Sequence, residues 1–302
     1  MSYSLVAIYF MSLWMGVRAS EPFWMWVALE VGLLVVLYLG LVKGSRVGSI
    51  YEYFLVQAVG SLTMMMGLVL GSGGVVVAGV CIKVGLFPFL SWVYRVVWGV
   101  DSAVSILFIL GLQKVVPFVL VFKWWPTMGV GSGLMLSCLL LSALTGGFCM
   151  LMGGGWVWVM VSSAVFHSSW VIMMCIFGMM SVVTYYMGYM LVLWALASFS
   201  GDQPVVGGGA FMWILVLLAS LPPYIGFWLK MYSFVVLSAL ATVLVGVMAA
   251  ISCVMMVGYF RGMLEDSVVV SSSGAIYQGP TTYTLPPSLV WGLGVLLMCV
   301  SL

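Results

Sequence analysis

The chain has 302 residues, of which 65% are hydrophobic and only 5% are charged, and its formal net charge is +2. Soluble domains carry roughly 25% charged residues, so this composition excludes a water-facing globular protein. The small net charge gives no indication of a nucleic-acid partner. Continuous apolar runs of about 20 residues predict an all-α polytopic membrane protein, because a β-barrel would show alternating segments of about ten residues.

Hydropathy and helix-breaking residues predict eleven membrane spans along the chain. Their limits are 3–17, 22–42, 50–70, 74–98, 103–123, 128–151, 156–179, 181–199, 209–240, 242–261 and 285–302. Two of these spans are longer than a straight helix needs to cross a hydrocarbon core of roughly 30 Å. Segment 74–98 contains Pro88, and segment 209–240 contains Pro222 and Pro223, so both are expected to be broken or strongly bent.

The two interrupted spans are each the fourth of five. The sequence thus predicts a first five-helix half at 1–125, a second half at 126–262, and a polar loop with a final helix at 263–302. Interrupted helices at matching positions are typical of inverted-repeat transporters, and an odd number of spans inverts the second half. Packing of bent helices alone would also place prolines at these positions.

Basic residues in the predicted loops indicate an orientation. Four of them lie on the side of the N-terminus and two on the opposite side; they are Lys43, Arg46, Arg95 and Arg261 against Arg18 and Lys123. The excess predicts an inside N-terminus and, after eleven spans, an outside C-terminus.

Four ionisable residues lie deep within predicted spans: Glu30, Lys83, Lys114 and Lys230. A charge at the centre of a membrane helix costs about 2.5–3.5 kcal/mol on insertion scales, so these groups are expected to face one another or water. The alternative is snorkelling to the interface, which suits lysines at span ends better than these. His167 lies in the middle of another span between serines, and both a relay role and a hydrogen-bonded structural role remain open for it.

Lysine and carboxylate side chains together suit proton transfer. Burial favours the neutral amine, whereas a nearby carboxylate favours the ammonium form. A movement of Glu30 relative to Lys83 would therefore switch the lysine between the two forms. The predicted break at Pro88 would supply the mobile backbone that such a switch needs.

Five short stretches carry a resemblance to a known family. They are "WVALEVGLL" (26–34), "YFLVQA" (53–58), "KVGLFPFLSW" (83–92), "QKVVPF" (113–118) and "SLPPYIGFWLK" (220–230). In this order they resemble motifs of the subunit 2 family of mitochondrial NADH dehydrogenase, the antiporter-like membrane subunits of respiratory complex I. The resemblance covers most of residues 22–261, and residues 262–302 match only in character.

The resemblance implies a role for each central charge. Glu30 and Lys83 would form the coupling pair beside the first broken helix, Lys114 the central relay, and Lys230 the exit-side lysine of the second half. The family also has a histidine near the place of His167. The shortened animal form of the family has eleven spans, in agreement with the hydropathy.

The implied function is proton translocation within NADH:ubiquinone oxidoreductase. The chain would hold no redox centre or cofactor of its own; NAD, FMN, iron–sulfur clusters and ubiquinone are expected on other subunits. Its partners would be membrane lipids and other membrane subunits, including neighbouring antiporter-like ones. The expected place is the mitochondrial inner membrane, with the N-terminus on the matrix side and the C-terminus on the intermembrane side. Two alternatives are a cation/proton antiporter component outside complex I and a scaffold subunit with an inactive channel.

The chain also departs from the family pattern. Glu52 replaces a basic residue before the "YFL" stretch, Leu90 replaces a histidine, and Tyr94-Arg95 replaces a proline–acid pair. Val157-Trp158 replaces a basic pair ahead of His167. These differences bear on how the half-channels are hydrated and gated rather than on the four central charges.

Overall fold

A computed structural model of the chain describes residues 2–100, 102–127, 129–152, 156–199, 215–221, 224–238 and 242–272. Throughout these residues the regular structure is helical and no strand is present. Six helices among them are long and apolar enough to cross a membrane: Pro22–Val42, Val47–Val69, Ala103–Thr127, Gly131–Met152, Val157–Met174 and Thr242–Gly262. The prediction of an all-α, multi-pass membrane protein is confirmed.

The N-terminal part of the chain forms five helices before residue 100. They are α1 (Ser2–Arg18), α2 (Pro22–Val42), α3 (Val47–Val69), α4 (Gly73–Val84) and α5 (Ser91–Trp98). Pro22 stands at the start of α2, where the missing N–H removes no helical hydrogen bond. Helix α2 packs against α1 and α3, and α3 packs along both α4 and α5.

The remaining described helices follow residue 102. They are α6 (Ala103–Leu110), α7 (Val115–Trp124), α8 (Val130–Met152), α9 (Trp156–Met174), α10 (Met179–Phe199), α11 (Ile225–Ser238) and α12 (Thr242–Ser272), with 3-10 turns at Leu112–Lys114 and Trp125–Thr127. The predicted last span, 285–302, lies outside the described residues. The count of eleven spans therefore stays a prediction.

The break predicted at Pro88 is present. Helix α4 ends at Val84, and Gly85 adopts a left-handed conformation with φ of 77°, as glycine does at many helix ends. The Phe87–Pro88 peptide bond is cis, and the helix resumes only at Ser91. The predicted span 74–98 is thus two short helices joined by an irregular segment.

The second predicted interruption is flanked by described residues on both sides, and the helix ends and begins again there. Residues 215–218 are helical, Ser220 has a φ of 60°, and α11 begins at Ile225. Pro222 and Pro223, which motivated the prediction, lie outside the described residues.

Two features differ from the sequence-based expectation. The predicted span 103–123 is interrupted at Gly111 (φ −114°, ψ −89°), and a 3-10 turn over Leu112–Lys114 separates α6 from α7. The hydropathy of the segment gave no sign of this interruption. In addition, α12 continues to Ser272, whereas a loop was expected from residue 262.

The chain divides into two compact units. Among the described residues, the first contains those within 1–145 and 164–176, and the second contains those within 146–163 and after 176. The predicted division at 125 and 262 stays a prediction. In the first unit, α3 and α4 approach so closely that a Cβ atom added at Gly79 would lie 2.5 Å from the Met64 backbone nitrogen. In the second unit, α11 packs on α10 and α12.

Candidate functional site

Lys83 lies in the last turn of α4, directly before the break. Its side chain is buried, with 4% exposure. Its Nζ donates to the backbone carbonyl of Gln57 at 3.5 Å, and Gln57 Nε2 donates to the Lys83 carbonyl at 3.0 Å. The two residues therefore link α3 to the end of α4 in both directions.

Glu30 lies on α2 and is half-buried. Its Oε1 accepts a short hydrogen bond from the hydroxyl of Ser61, a fully buried residue of α3. Ser61 follows Gln57 by four residues, so both lie on one face of α3. The carboxylate and the lysine are thus held by neighbouring positions of the same helix.

Glu30 and Lys83 interact electrostatically but do not form a direct salt bridge. The carboxylate is a nearby opposite charge for the lysine, because both are held by the same face of α3. Within the described ranges, an ion pair closer than 4.0 Å is found between Arg95 and Glu52, and none joins Glu30 to Lys83. The two groups are close enough to influence each other and are each bonded to a neutral partner.

Lys114 ends the 3-10 turn between α6 and α7 and is 3% exposed. Its Nζ donates to the Ser168 hydroxyl at 2.9 Å, and Ser168 in turn donates to the Ala164 carbonyl at 2.5 Å. The sequence drew attention to His167, whereas its neighbour Ser168 contacts the lysine. His167 itself is buried and meets the ring of Phe166 edge-on, with 5.5 Å between centroids.

A further polar group lies between α2 and Lys114. Gln113 is buried, and its Nε2 has no hydrogen-bond partner among the described residues. A Cβ atom at Gly32 would lie 3.6 Å from that nitrogen and 3.6 Å from Ser12 Oγ. Gly32 is two residues beyond Glu30, so it points to a different side of α2, and the buried amide and the hydroxyl face the side away from the carboxylate. Sequence reasoning had not singled out Gln113.

Lys230 belongs to the second unit and lies on α11. Its side chain is buried, with 6% exposure, and its backbone carbonyl accepts a hydrogen bond from the Ser233 hydroxyl at 2.7 Å. A cavity of about 200 Å³ adjoins it; its lining is mainly apolar, and its polar members are Lys230, Ser220, Ser252 and Cys253. The lysine thus borders a space that reaches three other polar side chains.

Two departures from the family pattern turn out to be partners. Arg95 on α5 donates from Nε to Glu52 Oε1 on α3 at 2.7 Å, and its Nη2 lies 2.6 Å from the same oxygen. The family has a basic residue at the position of Glu52 and an acidic one in the stretch of Arg95. The chain therefore has an ion pair of reversed polarity between these helices.

Comparisons of sequence agree with the motifs. The chain is 26% identical over 194 residues to NADH-ubiquinone oxidoreductase chain 2 of Ornithorhynchus anatinus, covering 58% of this chain and 55% of the relative. It is 25% identical over 242 residues to the protein of the same name from Suncus etruscus, covering 69% of each. The chain spans about half the length of most of the curated relatives that it matches. No protein-family profile matches it.

Comparisons of structure give the fold. A chain of respiratory complex I from Thermus thermophilus with bound aureothin superposes with a TM-score of 0.77 at 19% identity, covering 99% of this chain and 77% of that one. A chain of the Mrp complex from Dietzia sp. gives 0.74 at 15% identity, covering 92% and 61%. The resemblance indicated by the five motifs is thereby confirmed: the chain is a homologue of NADH-ubiquinone oxidoreductase chain 2 and has the fold of the antiporter-like membrane subunits of complex I.

Proposed function

We propose that the chain translocates protons as an antiporter-like membrane subunit of NADH:ubiquinone oxidoreductase. The observation that carries the proposal is the placement of three buried lysines at helix interruptions. Lys83 lies in the last turn of α4, Lys114 ends a 3-10 turn, and Lys230 lies five residues after the start of α11. Each is at most 6% exposed in a chain with only 5% charged residues.

Helix interruptions suit this role for a physical reason. A continuous helix uses its own backbone groups, whereas an interrupted one frees carbonyls and N–H groups that can solvate a charge inside a membrane. Buried ionisable residues of membrane helices are expensive, and they mark proton or ion pathways. A lysine can hold a proton as an ammonium and release it as an amine when its electrostatic surroundings change.

The first unit contains several groups that would change the electrostatic surroundings of its lysines. Glu30 is bonded to Ser61 and influences Lys83 without a direct salt bridge. If the carboxylate moves toward the lysine, the ammonium is stabilised; if it moves back, the proton is released. Gln113 adjoins Lys114 in the chain and, with Ser12, faces α2 at Gly32, so it offers a buried hydrogen-bonding group beside the second lysine. Lys114 then has a hydroxyl acceptor in Ser168.

In the second unit, Lys230 would be the exit-side proton carrier, and the serine and cysteine side chains that line the adjoining cavity of about 200 Å³ are the polar groups beside it. Two inverted five-helix repeats would place Lys83 and Lys230, the lysines beside the two broken helices, in equivalent surroundings. The N-terminus would lie on the matrix side of the mitochondrial inner membrane. Nicotinamide, flavin, clusters and quinone would belong to other subunits, and neighbouring antiporter-like subunits would be the immediate partners.

The decisive experiment is Lys114→Met in the assembled complex. We expect normal assembly and NADH oxidation by an artificial acceptor, together with loss of most proton pumping in sealed vesicles, because methionine matches the stem but carries no proton. Lys43→Met is the matched control, since Lys43 is exposed at the end of α2. Coupled pumping at the normal ratio in Lys114→Met would contradict the proposal and support a scaffold role.

The second candidate is a cation/proton antiporter component that acts outside complex I. The likeness to a chain of the Mrp complex is the observation that favours it. The same buried charges would then serve ion exchange. Native electrophoresis of membrane extracts separates the two functions, because this candidate requires the chain to migrate apart from NADH dehydrogenase activity.

A further inference from the structure

The break after α4 leaves backbone groups that a continuous helix would pair. In an unbroken α-helix the Phe87 N–H would donate to the Lys83 carbonyl four residues earlier. Here the Lys83 carbonyl accepts from Gln57 Nε2 at 3.0 Å, and the Phe87 N–H donates to Ser142 Oγ at 2.7 Å. Side chains from two other helices of the first unit thus replace the missing helical hydrogen bond.

A third side chain completes this arrangement. Trp92 Nε1, from the start of α5, donates to the Ile82 carbonyl at 3.0 Å. Unpaired backbone groups are costly within a membrane, so the break persists because these donors and acceptors are supplied. Among Gln57, Ser142 and Trp92, Gln57 also accepts a hydrogen bond from Lys83 Nζ, through its backbone carbonyl.

Gln57 shares its helix face with Ser61, which holds the Glu30 carboxylate. Close packing makes this possible, since a Cβ atom at the intervening Gly60 would lie 3.3 Å from both the Cβ and the nitrogen of Lys83. One face of α3 therefore contacts Lys83 through Gln57 and Glu30 through Ser61. A direct salt bridge between Glu30 and Lys83 does not form.

We propose that Gln57 and Ser61 are positioning residues of the relay, which hold Glu30 and Lys83 within electrostatic reach of each other but out of a permanent ion pair. A permanent pair would keep the lysine charged and the carboxylate occupied. With both groups bonded to neutral partners on α3, a small displacement changes their mutual distance and hence the proton affinity of the lysine. This inference rests on the proposed proton-translocating function.

The test uses assembled complex carrying Gln57→Met or Ser61→Ala. The first removes the amide that caps the break, and the second removes the hydroxyl that contacts Glu30 and the Ala58 carbonyl of its own helix. The matched control is Thr63→Ala on the same helix, because the Thr63 hydroxyl bonds only to carbonyls of its own helix, those of Val59 and Gly60 at 3.0 Å. NADH oxidation by an artificial acceptor reports that the peripheral redox part is intact.

We expect protons pumped per NADH to fall by up to about 100-fold in both variants, the loss that misplacement of catalytic groups by about 1 Å causes. The pH profile of quinone reduction should shift as well, which a merely structural defect would not cause. Ser61→Thr, which keeps the hydroxyl, should recover pumping and the normal profile.

The experiment distinguishes failure of the positioning role from failure of the proposed function. If Gln57→Met and Ser61→Ala pump like Thr63→Ala while Lys114→Met does not pump, the positioning role is wrong and the relay stands. If Lys114→Met also pumps normally, the proposed function itself fails. Should Gln57→Met prevent assembly, Ser61→Ala decides the question alone, because it leaves the cap of the break in place.

Discussion

Lys114 and Ser168 are joined by a hydrogen bond of 2.9 Å between Nζ and Oγ, although 54 residues separate them in the chain. Both side chains are buried, with 3% and 2% exposure. The contact brings α9 against the 3-10 turn at the centre of the first unit. The hydroxyl is therefore placed to hold the Lys114 side chain by a hydrogen bond, and the role of the neighbouring His167 stays a prediction.

Ser168→Ala should slow proton pumping while the complex still assembles. Ser168→Ala removes the hydrogen-bond partner of a buried lysine, which costs roughly 1–3 kcal/mol, and we expect pumping to slow by about tenfold or more. The measurement is the ratio of protons pumped to NADH oxidised in sealed vesicles.

The neighbouring Ser169→Ala supplies the control for this prediction. Ser169 is fully buried too, but its hydroxyl donates to the Val165 carbonyl of its own helix at 3.2 Å. Equal pumping by both alanine variants would show that Ser168 plays no part in the relay.

The reversed ion pair of Glu52 and Arg95 predicts a specific double substitution. Glu52→Lys alone places two cations together across α3 and α5 and should lower stability. Exposed ion pairs contribute roughly 0.2–1 kcal/mol, so the loss should be modest. Glu52→Lys combined with Arg95→Glu restores attraction with the polarity of the family and should recover the thermal stability of the assembled complex. No recovery in the double variant would mean that the 2.6 Å contact does not contribute.

Gly79→Ala should weaken the packing of α3 on α4. The added methyl group would lie 2.5 Å from a backbone nitrogen of Met64, so the helices must separate. Overpacking of this kind costs typically about 1–3 kcal/mol. The yield of assembled complex and its melting temperature should both fall.

Gly48→Ala tests whether the effect is local. Nothing lies within 4 Å of a Cβ atom at Gly48, which belongs to α3. This substitution should be neutral or slightly stabilising, because alanine restricts the unfolded chain more than glycine does. A loss of equal size at both positions would argue against close contact as the cause.

The cavity beside Lys230 predicts an effect of filling it. Ala249 lines the cavity, and Ala249→Leu would occupy part of its roughly 200 Å³ without removing any ionisable group. If Lys230 reaches water through this space, pumping should slow while NADH oxidation by an artificial acceptor is unchanged. Ala250→Leu is the matched control, because Ala250 is exposed on the same helix. Equal behaviour of the two variants would exclude the cavity as a route.

Several features of this protein could be predicted from local properties of the sequence. Hydropathy over about 20 residues indicated helical spans, since a membrane requires every backbone group to be paired within a helix. Pro88 and the double proline indicated interruptions, since proline lacks the N–H donor. The charges at Glu30, Lys83 and Lys114 stood out because their environment in the sequence is apolar. Each of these arguments needs only a short window of residues.

Partners at a distance could not be predicted in this way. Gln57 meets Lys83 across 26 residues, and Arg95 meets Glu52 across 43. The sequence listed Glu52 and Arg95 as two separate departures, and only the packing of α5 on α3 shows that one compensates for the other. The interruption at Gly111 was likewise missed, because an apolar segment with a single glycine is compatible with a continuous helix.

The sequence by itself thus determined the class of protein, the two helix breaks at prolines and the residues that carry charge into the membrane, because these follow from the missing N–H of proline and from the transfer of each residue between water and lipid. Only the tertiary structure decided which neutral groups hold those charges, namely Ser61 for Glu30, Gln57 for Lys83 and Ser168 for Lys114. The physical reason is that a hydrogen bond depends on distance and direction between helices, and neither is encoded in any one segment of the chain.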